Sequence, residues 1–354
     1  MDAILITARY LRNTMNEHYP SDNDLNHTTV RQTIYTGVRK ASLWMIGVII
    51  FLGLLSYHLQ QENWRLPFDT IDWPLLLLGW GFMVGTMWVL GFRWRVLLKD
   101  TTASRTFFGA SLSAGLLINY ALPGPMGEIM GGWLLKREDN TPIVTGLTAS
   151  TLARLIGLFT AAIGSVILWW WVDVDLPIAK VALQTLILGI GCGGILLVIL
   201  CLQANNIAKR VQDKETYHPL KLISGSLLQI RQLSIEQLAT AFIFSAIGHG
   251  TAFVGVWLSL MAIGGSPSPT DIAFVYLVGT CCGTVAFLFP GSQLTWDAIF
   301  IGLLISASGY DTGSATIATG FLRIEQIAMM IFGAGPLFWI VWQQERREST
   351  SEIE

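Results

Sequence analysis

The stretch Asn119-Tyr120-Ala121-Leu122-Pro123-Gly124-Pro125-Met126-Gly127-Glu128 decides how the rest of the chain is read. It breaks the apolar region 106–137 at its middle and places a carboxylate three residues after the second proline. Proline removes a backbone donor and clashes with the preceding turn, so a helix stops here and a new one starts. A second apolar region, 272–308, is broken at Phe289-Pro290-Gly291 and carries Asp297 beyond the break. As helices at ~1.5 Å per residue, the arms 106–121 and 125–136 extend only ~24 and ~18 Å. A bilayer core is ~30 Å thick. The arms of the second region reach ~26 Å. Two re-entrant helical hairpins meeting near the midplane are expected, with two pairs of full spans as the alternative.

Working outward, the composition says what surrounds these breaks. The chain has 354 residues, 52% hydrophobic and 13% charged. The charged share is about half the ~25% of soluble domains, and mean hydropathy is +0.54. A water-soluble enzyme and a disordered chain are excluded. A net charge of −2 gives no field that attracts nucleic acid. Six further segments are long and apolar enough to span: 41–58, 73–92, 144–171, 181–202, 238–262 and 316–342. The expected fold is therefore an all-α polytopic membrane protein of six full spans and two re-entrant hairpins. Cys192, Cys201, Cys281 and Cys282 all lie in apolar runs and read as small buried hydrophobes.

Lysine and arginine set the orientation. Residues 1–40 carry Arg9, Arg12, Arg31, Arg39 and Lys40; loop 93–105 carries Arg93, Arg95, Lys99 and Arg105. Lys136 and Arg137 follow the first broken region; loop 203–237 has Lys209, Arg210, Lys214, Lys221 and Arg231, and the C-terminus has Arg346 and Arg347. The opposite loops carry Arg65 and Lys180. Both termini are expected in the cytoplasm, with Trp64, Trp73 and Trp169-Trp170-Trp171 at the outer interface. The chain divides into a polar cytoplasmic segment 1–40, a first membrane repeat 41–171, a second repeat 172–342 and a tail 343–354. The stretch 219–233 within loop 203–237 is apolar at helical spacing and is expected to lie on the cytoplasmic surface.

The order span, span, hairpin, span occurs twice with opposite starting sides, an inverted-topology repeat of the kind found in secondary transporters. The chemistry repeats with it. Arg154 follows Glu128, and Arg323 follows Asp297, by the same 26 residues. A charge at membrane depth costs at least ~2.5–3.5 kcal/mol and faces a partner or a wet cavity. A broken helix also exposes backbone N–H groups and a positive dipole end. Asn119, Pro123, Gly124, Glu128 and Arg154 thus form one candidate anion seat, and Pro290, Gly291, Asp297 and Arg323 a second. The plainer reading is two structural salt bridges that staple hairpin to span; the two are compatible.

Other positions are more ambiguous. Asn119 either donates to a headgroup or caps the broken helix. Glu325 either joins Arg323 or lies at the outer interface. Gln293, Thr295 and Trp296 line the second tip, where simple packing is the alternative role for Trp296. His249, between Gly248 and Gly250, is either a proton relay or a hydrogen-bonded packing residue.

The segment Asn119 to Glu128, followed by Arg154-Leu155-Ile156-Gly157-Leu158, resembles the integral-membrane family named after the flippase region of lysylphosphatidylglycerol synthases. That family shows an Asn, then Pro, then Gly-Glu, then a span that begins with Arg. Pro290-Gly291 through Asp297 resembles its second motif. Two departures stand out: Gly131 and Trp296 occupy positions where the family often has arginine. The resemblance implies the translocating part without the large aminoacyl-transferase part. The expected function is a lipid flippase or lipid-linked carrier of the bacterial inner (plasma) membrane. It would move a phospholipid or other phosphate-bearing lipid through a midplane cavity. Alternatives are a proton-coupled transporter of a small anion and a regulator partnered with a lipid-modifying enzyme. No enzymatic activity, cofactor, metal or nucleic-acid partner is expected, and no GxxxxGK[ST] motif is present to use ATP.

Overall fold

A computed structural model describes residues 71–98, 101–121, 126–172, 218–286 and 292–351, with single positions between 189 and 206. The described residues form nine helices and no strand. They are α1 (Trp73–Val96), α2 (Arg105–Ala121), α3 (Met126–Asp139), α4 (Ile143–Trp169), α5 (His218–Arg231), α6 (Ile235–Ala262), α7 (Pro269–Ala286), α8 (Ser292–Ser308) and α9 (Thr312–Ser351). Four stretches are long and apolar enough to cross a membrane: Trp73–Val96, Ile143–Trp169, Ile235–Ala262 and Thr312–Leu337. The protein is an all-helical membrane protein. The expected spans 41–58 and 181–202 lie outside the described residues, apart from those single positions.

Local chemistry starts these helices at positions marked in the sequence. Asp72 caps α1, its side chain accepting from the Leu75 N–H at 3.1 Å. Ser234 and Gln237 form a reciprocal capping box at the start of α6, an arrangement worth about 1 kcal/mol. Asp311 precedes α9 and accepts from the N–H groups of Gly313 and Ser314 at 3.0 and 3.1 Å. Hydrogen bonds from Ser314 and Gly313 hold its carboxyl below the usual carboxylate range.

Between apolar helices in lipid there is little hydrophobic drive, so close packing and polar contacts decide which helices pair. α1 and α6 form the central seam. Arg93 Nη1 donates to Ser245 Oγ at 2.7 Å, and Thr86 and Thr251 hydroxyls meet at 2.9 Å. At the other end a Cβ on Gly79 would stand 3.0 Å from the Gly255 carbonyl and 2.7 Å from Ser259 Oγ. Descending numbers on α1 meet ascending numbers on α6, so the two helices are antiparallel. Gly79, Thr86 and Arg93 recur every seven residues along this contact.

The helix contacts follow a rule. When α1, α2, α3 and α4 are matched with α6, α7, α8 and α9, each packed pair has a packed counterpart. α2 packs on α9 as α7 packs on α4; α3 packs on α4 as α8 packs on α9. The exception is α5, which docks on α4. It covers the expected amphipathic stretch 219–233 and packs near the start of α4. Leu227 is buried, Ser226 and Thr148 hydroxyls meet at 2.8 Å, and Gln229 Nε2 donates to the Thr145 carbonyl at 3.1 Å.

The two broken regions resolve into α2 with α3 and α7 with α8, and each pair packs arm against arm. α2 and α3 approach at Gly115 and Gly127, where a Cβ on Gly115 would stand 3.0 Å from the Gly127 carbonyl. A Cβ on Gly127 would collide with the Gly115 carbonyl, which is backbone and has no rotamer to yield. Gly127→Ala should therefore destabilise the protein by about 1–3 kcal/mol. Gly81→Ala, with open space around it, should be neutral or stabilising by up to about 1 kcal/mol. Thermal melting of the two variants in detergent checks the contrast.

Candidate functional site

Asn119 sits near the C-terminal end of α2 and reaches across the break. Its Oδ1 accepts from the Gly127 N–H at 2.6 Å, and its Nδ2 donates to Glu128 Oε2 at 3.2 Å. One amide therefore satisfies an orphan donor in the first turn of α3 and also orients the carboxylate beside it. Glu128 Oε1 is 2.6 Å from Arg154 Nη2 on α4. The Glu128 side chain is 10% exposed and the Arg154 side chain 28%. Asn119, Glu128 and Arg154 are thus brought together as the sequence suggests. Asn119 acts as the cap of the broken helix, one of the two roles open to it.

A fourth member is not among the sequence candidates. Arg93, read as a loop cation, lies within α1, which continues to Val96. Its side chain is buried, and its guanidinium faces Gly157, one turn along α4 from Arg154. Any side chain at 157 would collide with it. Arg93 and Arg154 are close enough to act on one another electrostatically. Arg93 Nη1 donates to Ser245 Oγ at 2.7 Å, while its buried Nε makes no hydrogen bond among the described residues. Among the described residues, Arg154 thus links Glu128, at the start of α3, to the neighbouring Arg93 guanidinium.

His249 belongs to the wall of this site. Its Nε2 donates to the Gly157 carbonyl at 2.9 Å, and Nδ1 makes a long 3.5 Å contact with Tyr276 Oη. The carbonyl fixes the proton on Nε2. The imidazole is a hydrogen-bonded packing residue rather than a free relay.

The second set is built differently. Arg323 Nε donates to Asp297 Oδ1 at 2.5 Å, and Nη1 donates to Gln326 Oε1 at 2.7 Å. The same guanidinium lies over the Trp296 ring, 4.2 Å from its centroid. Trp296 is stacked on Phe300 with centroids 4.5 Å apart and is seated against Gly279 and Gly283 of α7. Trp296 therefore holds the arginine as well as packing. This pair is charge-balanced, and its arginine is enclosed by acid, amide and indole. Pro123, Gly124, Pro290 and Gly291 lie outside the described residues, and the side chains of Tyr120, Gln293 and Thr295 do too.

Glu325 is the second surprise. It is 2% exposed and sits between α9, α1 and α6, with Trp80 and Ser259 as its polar neighbours. It neither joins Arg323 nor lies exposed.

These features define a polytopic helical membrane protein in which each helix break is tied to a long span by an arginine–carboxylate pair. The chain belongs to the family described as the lysylphosphatidylglycerol synthase TM region, whose model matches residues 34–333. No curated protein and no solved structure matches it.

Removing one partner of such a pair strands the other. Glu128→Gln should cost about 3 kcal/mol, the low end for a buried pair because Arg154 keeps some access. In the Arg154→Gln background the same change should cost markedly less. A double-mutant cycle read by chemical denaturation in mixed micelles measures the difference.

Proposed function

We propose that the protein is a lipid flippase or lipid-linked carrier that takes a phosphate-bearing headgroup at the α3–α4 site. The observation that carries this reading is two neighbouring buried or part-buried arginines, Arg93 and Arg154, the second of them paired with Glu128 at a helix start. Guanidinium groups suit phosphate through paired N–H donors, and a helix N-terminus adds its own. Glu128 holds Arg154 while the seat is empty and competes with the phosphate for it, so the headgroup is released rather than trapped. Arg154 keeps the partial access that a ligand needs. Asp297 and Arg323 act as the matched pair of the second half, with Trp296 in place of a further cation.

The finer architecture belongs to the same reading. An inverted repeat of 41–171 and 172–342, with α2–α3 and α7–α8 as re-entrant hairpins, is supported by the antiparallel α1–α6 seam and the matched helix contacts. The short arms support it as well: α3 has 14 residues, ~21 Å at ~1.5 Å per residue. The lysine and arginine distribution supports cytoplasmic termini in a bacterial inner membrane. The protein acts as a carrier rather than an enzyme, and mass action or an ion gradient drives it.

The test is reconstitution into liposomes containing a fluorescent phosphatidylglycerol, with movement read by quenching of the outer leaflet. The protein should move the lipid faster than protein-free liposomes do. Arg154→Ala and Arg93→Ala should each slow it roughly tenfold or more, the loss of a charge-assisted contact of ~1.5–3 kcal/mol. Movement no faster than in bare liposomes, or unchanged in Arg154→Ala, contradicts the proposal. Uptake of inorganic phosphate without lipid movement would instead favour a transporter of small anions.

A further inference from the structure

Glu325 plays no part in the two ion pairs, yet it is among the most deeply buried polar side chains described, at 2% exposure. Among the described residues, neither of its carboxylate oxygens finds a hydrogen-bond partner. The same is true of the two polar atoms beside it, Trp80 Nε1 on α1 and Ser259 Oγ on α6. These two are the polar neighbours that α1 and α6 bring to Glu325. A buried carboxylate without a hydrogen-bond partner, flanked by two polar atoms in the same state, is rare in a native interior and marks a place where something exchanges.

The charged surroundings are sparse. On its own helix, Arg323 is committed to Asp297 of α8, Gln326 and Trp296. α1 contributes Trp80 and α6 contributes Ser259; the described residues of α1, α2, α6 and α8 set no charged group against Glu325. An ionised carboxylate without a counter-charge is very costly in such a place, so it takes up a proton or a cation. A metal cation needs several oxygen ligands. Here one hydroxyl is on offer, and the indole N–H is a donor that repels a cation. A proton needs no further ligand. When it leaves, the Ser259 O–H and the Trp80 N–H can turn to the ionised carboxylate.

We propose that Glu325 is a reversible proton-binding site at the α1–α6–α9 junction, set on the face of α9 away from Arg323. An O–H bond forms on a Glu325 oxygen with a proton taken from water, and it breaks to return that proton to water. Arg323 and Glu325 are two residues apart, roughly 200° around the helix. Loading Glu325 therefore alters how α9 seats against α1 and α6, while Arg323 on its other side holds α8. The proton site stands by itself; that it drives or gates lipid movement rests on the function proposed above.

The experiment is infrared difference spectroscopy of the full chain in lipid nanodiscs over a pH series, in wild type and in Glu325→Gln. The wild type should show a protonated-carboxyl C=O band at low pH that is lost at high pH. Glu325→Gln should lack that band. Trp80→Phe and Ser259→Ala should raise the pH at which the band is lost, because they remove the donors that turn to the ionised carboxylate; these two keep the test decisive if Glu325→Gln does not fold. A band unchanged in all three variants, or no titrating band, overturns the proposal. Loss of the band on adding sodium at constant pH overturns it in favour of a cation site. Liposomes that move no lipid while the band titrates normally would remove the flippase reading and leave the proton site intact.

Discussion

The pairing of Glu128 with Arg154 is the constraint on which the first half of the molecule turns. α3 begins inside an apolar bundle with free backbone donors, and a carboxylate in its first turn answers their partial charge. That carboxylate is acceptable only because Arg154 stands 2.6 Å away on α4 and Asn119 donates from α2. These two contacts tie both sides of the helix break to a long span. Gly115 and Gly127 let α2 and α3 approach closely enough for Asn119 to reach across. The glycines are thus part of the charge arrangement as well as of the packing.

The two halves share a frame but differ in electrostatics. Helix contacts match pair for pair, and the arginine–carboxylate spacing is the same. In the first half a second buried arginine, Arg93, stands near Arg154. In the second, Trp296 stacks on Arg323 and Gln326 takes another of its donors. Neighbouring guanidinium groups suit an anion; an arginine enclosed by acid, amide and indole holds a helix in place. This asymmetry supports the proposed phosphate seat at α3–α4 and a more structural part for α8–α9.

Much of this arrangement is legible in the amino-acid sequence. The breaks at Pro123 and Pro290 limit the arms, and the common 26-residue spacing pairs the four charges in the combinations that the helices bring together. Arg93 escapes such a reading because basic residues at the end of an apolar run look like a loop. Its seven-residue spacing from Thr86 and Gly79 is the available signal, since it places Arg93 on the buried seam of α1. Glu325 escapes for a different reason. Its isolation depends on two other helices, and nothing in the local sequence reports what faces it. The docking of α5 on α4 likewise depends on the Thr145 carbonyl and the Thr148 hydroxyl, which look ordinary for a span.

The central claim is that Arg93 and Arg154 seat a phosphate. It is tested most directly by mass spectrometry of the lipid retained on purified protein, comparing wild type with an Arg93→Ala/Arg154→Ala variant. A phosphate-bearing lipid should be held at near-stoichiometric level by the wild type and lost from the variant. Equal retention by both, or retention of a lipid without phosphate, would contradict the claim.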